Sequence, residues 1–208
     1  MLTVHAADAV HGAPDGADSV AVDGGVIAAI GPYGQLTAAH PQARIRRWSG
    51  LITPGLLNAG APALLEAAYH PDPREADELG GDPLTGDALT ALGMDDARWG
   101  ASARRGLQRM LRHGTTAVRG PFARPAVRTA VARSGLRVHA PGPVPEPVRL
   151  DPLASVAAPE DAFAAPLVVG GPADLAVFGV RDLAELHTAG GGSCVATVLG
   201  GRLVFRRG

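Results

Sequence analysis

Both ends of the chain carry the same local signal, a pair of β-branched segments joined by a glycine-containing connection. The paired segments and their connections are residues 19–22 and 26–30 around Asp23-Gly24-Gly25, and residues 195–199 and 202–206 around Gly200-Gly201. Glycine supplies the positive φ that tight hairpin turns require. Because an isolated hairpin is only marginally stable in water, the two hairpins are predicted to belong to one sheet system.

The middle of the chain follows a helical period instead. Residues 97–113 repeat apolar side chains at helical spacing, with Asp95 and Asp96 able to cap the start and Gly114 placed to end the helix. A strand over 115–118, a helix over 124–134 and a strand over 136–139 are predicted to follow. A strand, a helix and a strand of this length indicate a βαβ unit with parallel strands and a right-handed crossover.

Two segments are irregular. Residues 71–93 are acidic and rich in turn formers, which predicts a mobile segment unless a partner covers it. Residues 140–173 contain eight prolines, which is typical of a connector rather than of a packed element.

Composition excludes several classes of protein. The net charge of −1 gives no electrostatic footprint for nucleic acid. No apolar run approaches the ~18–20 residues that span a bilayer, and the first ten residues lack the pattern of a signal peptide. The lone Cys194 excludes an internal disulfide. We therefore expect a cytoplasmic protein that binds neither nucleic acid nor membrane.

All nineteen basic residues are arginine, and the chain has no lysine. Together with the abundance of Ala, Gly and Pro, this bias indicates GC-rich coding of the actinobacterial type. It also excludes a Schiff-base lysine, a P-loop lysine and a carbamylated lysine bridging two metals.

Four stretches, taken in order, resemble the amidohydrolase superfamily, in particular its imidazolonepropionase-like and aminodeoxyfutalosine-deaminase-like members. They are residues 20–31 (VAVDGGVIAAIG), 51–58 (LITPGLLN), 111–119 (LRHGTTAVR), and 171–178 (GPADLAVF) with 198–206 (VLGGRLVFR). They are similar to the family's N-terminal hairpin, its entries into the first and second barrel strands, and its C-terminal return to the small β-domain.

The resemblance implies a (β/α)8 barrel plus a β-sandwich built from both chain ends, but a barrel alone needs ~200–250 residues. Here the sequence passes from the third strand through the proline-rich segment to the β-domain, without the fourth to eighth barrel units. We expect an α/β protein with a discontinuous β-sandwich, a composite domain of residues 1–50 and 165–208. Residues 51–150 are expected to form a truncated three-strand βα remnant of the barrel, and residues 140–173 the connector.

The metal-binding motif of the family is lost at the matching positions. After Pro54-Gly55-Leu56 the family continues with Asp or Asn and two metal-binding histidines; Asn58 fits, but the histidine positions hold Gly60 and Pro62. Metal-dependent hydrolysis needs several N or O ligands and an open position for water. The resemblance therefore implies no metal, no other cofactor and no inherited hydrolase activity.

Other residues remain candidates for a new site. His70 lies near Asp72 and Glu75, and Arg119 and His139 end the second and third barrel-like strands, where barrel sites form. For His70 and His139 we favour a structural role, as for His113 at a helix end and Cys194 in a strand, whereas for Arg119 a ligand or interface role stays open. A helical stripe of arginines is interpreted as a solvated face; it comprises Arg98, Arg104, Arg105, Arg109 and Arg112.

The favoured function is a non-catalytic amidohydrolase-like protein that acts as a binding or accessory subunit of a partner enzyme. One alternative is an enzyme of another class, with a site rebuilt from His70, Arg119 and His139 at the open strand ends. Another is a degenerate hydrolase-like protein linked to aminofutalosine-dependent menaquinone synthesis.

Association with another chain is also expected. Three parallel strands cannot close into a barrel, so an exposed apolar surface and a homo-oligomer or a protein partner are predicted. The residues expected near that surface are Leu51, Ile52, Leu56, Leu57, Val118, Leu136 and Val138.

Overall fold

A computed structural model describes all 208 residues as a mixed α/β protein with twelve strands and seven α-helices. The strands are β1 (Leu2–Ala6), β2 (Ala9–Val10), β3 (Ser19–Asp23), β4 (Val26–Gly31), β5 (Arg44–Arg47), β6 (Leu51–Pro54), β7 (Leu56–Asn58), β8 (Thr115–Arg119), β9 (Arg137–His139), β10 (Leu175–Phe178), β11 (Cys194–Leu199) and β12 (Arg202–Arg206). The α-helices are α1 (Tyr33–Ala39), α2 (Ala61–Glu66), α3 (Ala76–Leu79), α4 (Gly86–Ala91), α5 (Asp96–Leu111), α6 (Pro125–Ser134) and α7 (Leu183–Ala189). Short 3-10 helices occupy Pro73–Glu75, Pro152–Ser155, Pro159–Ala162 and Gly191–Ser193.

The strands form three sheets, ordered β4-β3-β1-β5, β12-β11-β10-β6-β2 and β7-β8-β9. The first two sheets are antiparallel except at the pairs β1–β5 and β2–β6. The third sheet is parallel throughout. The predicted parallel βαβ unit of β8, α6 and β9 is therefore confirmed.

The two terminal hairpins lie in different sheets that pack on one hydrophobic core. Val20, Val22 and Ile27 of the four-stranded sheet contribute to the same buried cluster as Leu175 and Val198 of the five-stranded sheet. The amide of Ile27 also donates to the carbonyl of Gly171, 2.9 Å away. The hairpins thus belong to one packed unit, as predicted, although not to one sheet.

The segment 51–58 contributes to two sheets. Leu51–Pro54 pairs antiparallel with β10 in the five-stranded sheet, whereas Leu56–Asn58 begins the parallel sheet. Gly55 lies where the chain passes from one sheet to the other. Only glycine fits at this position, because a Cβ there would lie 2.0 Å from the Oγ1 of Thr116. The strand that starts at Leu51 therefore lies with the C-terminal strands rather than with the parallel sheet.

The longest helix, α5, begins one residue before and ends two residues before the bounds that its sequence predicts, and the predicted cap and glycine stop are both present. The Asp95 side chain accepts a hydrogen bond from the Arg98 amide at 2.7 Å, and Gly114 follows the helix with a φ of 84°. Its buried Ala103, Leu107 and Met110 join a cluster that also includes residues of α2, α6 and β8. At 16 residues it is still too short to cross a bilayer, and no other helix qualifies as a membrane span.

The prediction of an open apolar surface at the parallel strands is wrong. Five of the seven residues assigned to it are buried, Leu57 is half-buried, and Val138 alone is exposed, at 55%. The physical reason is that helices α2, α5 and α6 pack against one side of this sheet, while the chain around residues 150–163 and the five-stranded sheet supply the apolar contacts of Leu51 and Leu56.

The arginine stripe of α5 is not a solvated face at three of its positions. Arg98 pairs with Glu75 at 2.9 Å and Arg105 with Asp72 at 3.3 Å, and Arg109 donates to the carbonyl of Gly81. These contacts hold the acidic 71–93 segment against the helix. Two of these arginines, Arg98 and Arg105, thus form salt bridges with carboxylates that lie far from them in the sequence.

Candidate functional site

A cavity of about 260 Å³ lies at the carboxyl ends of β7 and β8, under the proline-rich connector. The residues after β7 and the last residue of β8 form one wall, and the connector forms the other. The lining residues are Leu57, Asn58, Ala59, Gly60, Arg119, Pro143, Val144, Pro145, Val148, Arg149, Pro152, Ser155, Val156 and Asp161. Asp161 is the single carboxylate among them.

Asn58 fastens the connector to the strand end. Its buried side-chain amide donates to the carbonyls of Arg149 and Leu150, at 3.0 and 3.2 Å. Its Oδ1 accepts the amide of Gly60 at 3.1 Å. A buried amide with all these partners is a structural clamp, so the residue that matches the family motif is engaged in holding the connector.

The two positions where the family has histidines fit no metal. Gly60 directly precedes α2, and Pro62 occupies the first turn of that helix. A Cβ on Gly60 would lie 2.4 Å from Cγ1 of Val148. The connector therefore occupies the space that a ligand side chain at position 60 would need, and no group of three or more His, Cys, Asp or Glu residues elsewhere has metal-binding geometry.

Restoring the family's first ligand is expected to destabilise the fold. Gly60→His forces its Cβ against Val148 and lowers the free energy of unfolding by about 2 kcal/mol, a typical cost of overpacking. Adding Val148→Ala recovers most of that loss, which a double-mutant cycle in urea measures as a coupling energy. The matched control is Ala63→His at an exposed position of α2; simple additivity of the Gly60 and Val148 changes would contradict the packing argument.

Arg119 lies half-buried in the cavity wall. Its Nη1 donates to the carbonyl of Pro143, while its Nε is buried without an acceptor in the chain. Gly142 packs over the guanidinium, since a Cβ there would lie 3.2 Å from the Cζ of Arg119. A free donor of a charged group is a candidate contact for a bound acceptor.

The structure brings two of the three candidate residues together. Arg119 and His139 are register partners on neighbouring parallel strands, although His139 does not line the cavity. His70 lies elsewhere, fully buried, with its Nε2 2.9 Å from the carbonyl of Leu64. A side chain on Gly106 of α5 would collide with its ring. Burial lowers the pKa of His70, so this residue is a neutral part of the packing between α2 and α5.

Burial shifts the pKa values of two further residues in the direction that favours their neutral forms. Burial lowers the pKa of His113. Burial also raises the pKa of the Cys194 thiol to about 11, which makes it a poor nucleophile. The connector residues Val148, Arg149 and Asp161 were missed in the sequence because proline density marks a connector without indicating where it packs.

Residues 20–43 match the family profile described as the imidazolonepropionase-like composite domain of bacteria. This match confirms the resemblance carried by the N-terminal hairpin. No curated protein matches the sequence.

Several solved structures match part of this chain. Helicobacter pylori aminofutalosine deaminase is 15% identical over 67% of this chain and 33% of its own, with a TM-score of 0.43. E. coli guanine deaminase is 17% identical over 67% and 36%, with a TM-score of 0.45. A. niger ochratoxinase is 19% identical over 67% and 30%, with a TM-score of 0.43. The chain thus spans about a third of the length of these proteins.

Proposed function

We propose that this chain is a non-catalytic amidohydrolase-like protein that acts as a binding or accessory subunit of a partner enzyme. The observation that carries the proposal is the contact between Val148 and Gly60. A hydrolase of this family needs a metal ligand at that position, and here a connector side chain fills the space.

In this proposal the four-stranded and five-stranded sheets are the β-sandwich of the composite domain, and the sheet β7-β8-β9 is the remnant of a barrel. The matched residues 20–43 lie in the four-stranded sheet and α1, which supports the first assignment. The parallel order β7-β8-β9, with α5 before β8 and α6 before β9, supports the second.

The surface that the proposal assigns to a partner is the outer edge of β9. This strand pairs only with β8, and Val138 in it is 55% exposed. An exposed strand edge invites pairing with another chain. The proposal therefore keeps the expected homo-oligomer or protein partner, now confined to one strand edge.

An enzyme with a rebuilt site is the second candidate. The pairing of Arg119 with His139 beside a cavity favours it. Against it, His70 faces a different part of the core, and Asp161 is exposed and forms a capping bond with the Ala158 amide at 3.3 Å. The cavity therefore lacks a buried acid–base pair.

Metal content and catalysis test the proposal together. We expect protein purified without chelator to contain no stoichiometric Zn²⁺ or Fe²⁺, and added Zn²⁺ to confer no hydrolysis of amide or aminopurine substrates. Elemental analysis and an ammonia-release assay measure both. One firmly bound metal per chain, or turnover that Arg119→Gln abolishes, would favour an enzyme instead.

Light scattering on the same preparation tests the association. The proposal predicts a mass of at least two chains, or a stable complex with an added partner enzyme. Val138→Arg should weaken it, whereas Val168→Arg, at a similarly exposed position of the connector, should not.

A further inference from the structure

A second concave surface shares no residue with the strand-end cavity and is lined by residues of both the four-stranded and the five-stranded sheet. We call it the arginine groove; its volume is about 510 Å³. It is lined by Met1, Thr3, Gly24, Gly25, Arg44, Arg46, Gly200, Gly201, Arg202 and Leu203. Strands β5 and β12 are edge strands of the two sheets, so the groove is open to solvent along its length.

The register of β5 explains why its arginines face this groove. Arg44 and Arg46 pair with Thr3 and His5 of β1. Thr3 and His5 pair in turn with Val22 and Val20, which point into the core between the two sheets. Side chains of paired residues share one face of a sheet. Both arginines therefore project toward the five-stranded sheet rather than away from it.

The arginines of the groove form no salt bridge, whereas the N-terminal ammonium of Met1, which also lines the groove, pairs with Asp23 at 3.4 Å. Arg202 lines the groove from β12. Arg206 of the same strand does not line the groove, but it is close enough to Arg46 to affect it electrostatically. No carboxylate lies within ion-pairing distance of Arg44, Arg46, Arg202 or Arg206. Burial lowers the pKa of Arg46, and the positive charges of Arg44 and Arg206 lower it further. The positive charges of Arg44 and Arg206 thus act on Arg46 without a salt bridge from any of the three to a carboxylate.

Two glycine turns form the end of the groove. Gly201 has a φ of 75°, and a Cβ on it would lie 1.8 Å from the carbonyl oxygen of Gly24. The turns therefore touch backbone to backbone. The amides of Gly24 and Gly25 donate to no acceptor in the chain. Bare backbone with free amides lets the oxygens of an anion approach closely.

We propose that the arginine groove binds a small anion with two or more phosphate groups, such as a phosphoanhydride or a bisphosphate. The guanidinium fork matches phosphate oxygens in bidentate geometry, and three such groups, those of Arg44, Arg46 and Arg202, line the groove. The volume falls in the range of small-molecule sites. The proposal is independent of the function proposed for the strand-end cavity, since it shares no residue with it.

Charged edge strands have another explanation, because charge discourages pairing between sheet edges. That explanation requires only that the arginines be exposed. It does not require arginines of two different sheets to line one groove, nor the free amides at its end. The two explanations predict different binding behaviour.

Isothermal titration with inorganic tripolyphosphate tests the proposal. We expect saturable 1:1 binding that weakens as salt is raised. The double variant Arg46→Gln/Arg202→Gln should bind at least about tenfold more weakly, because each lost charged hydrogen bond costs more than a tenfold factor. The matched control, Arg112→Gln/Arg133→Gln, removes the same charge from exposed positions directly after α5 and in α6 and should bind within about twofold of the unaltered protein.

Thermal unfolding of each variant shows whether the fold is kept, and Arg202→Gln alone, at an exposed edge position, gives a second measurement if the double variant unfolds. Absence of saturable binding, or an equal loss in the control, would overturn the proposal in favour of a charged edge. Tighter binding of a glutamate oligomer of equal charge would overturn it in favour of an acidic protein segment.

Discussion

Replacing Phe178 with alanine is expected to lower the free energy of unfolding by about 4 kcal/mol, in the range measured for large buried aromatic residues. Phe178 is fully buried in β10, where it pairs with Leu51 and Cys194. Its ring also reaches the turn before β8, since a Cβ on Gly114 would lie 2.9 Å from Cζ of Phe178. One side chain therefore joins the five-stranded sheet to the parallel sheet.

Urea unfolding followed by tryptophan fluorescence measures this effect in both parts of the protein. Trp48 follows β5, and Trp99 lies in α5, so single-tryptophan variants report on each part. We expect Phe178→Ala to shift both midpoints equally. Val204→Ala, at a position of β12 that is 39% exposed, should change stability by less than about 0.5 kcal/mol. Two separate transitions would show that the terminal sheets and the βα region unfold independently.

Mild acid is expected to destabilise the protein through His5. This side chain is 1% exposed, and its Nδ1 accepts the Nε1–H of Trp48 at 3.2 Å. Burial, assisted by Arg46, lowers the pKa of His5 from its usual 6.5 to about 4. Folding thus requires the neutral imidazole.

The direction of the pH effect follows from which state binds the proton. Above the unfolded pKa, His5 is neutral in both states and folding is unaffected. Between about pH 6.5 and 4 the unfolded chain takes up a proton that the folded chain refuses, so stability falls as pH falls. The loss from His5 amounts to about 2.5 kcal/mol between pH 7 and about pH 4.5.

The test compares the free energy of unfolding in urea at pH 7 and at about pH 4.5 for the unaltered protein and two variants. His5→Gln keeps an acceptor for Trp48, is less stable at neutral pH, and should lose about 2.5 kcal/mol less on acidification than the unaltered protein. His187→Gln, at an exposed position of α7, should leave the profile unchanged. Because burial also lowers the pKa values of His70 and His113, some acid sensitivity remains in His5→Gln. A profile identical to that of the unaltered protein would contradict a neutral, buried His5.

The local elements were predictable because neighbouring residues determine them. Asp95 caps α5, and Gly114 and Gly135 follow their helices with the positive φ that glycine adopts without strain. The Gly24 and Gly200-Gly201 turns are formed in the same way. That Gly60 and Pro62 stand where the resembled family has histidines was also readable from the sequence, because it needs only the residue types at those positions once the resemblance is recognised.

Contacts between distant segments were decided only by the tertiary structure. Periodicity does not specify that Leu51–Pro54 pairs with β10, nor that Val148 packs over Gly60, 88 positions away in the chain. The pairing of Arg98 with Glu75 and the convergence of Arg46 and Arg202 on one groove are of the same kind. The type of a residue determines which chemical groups it can contact. Which residue it does contact depends on how the sheets pack, because the side chains that bury or pair with it come from distant parts of the sequence.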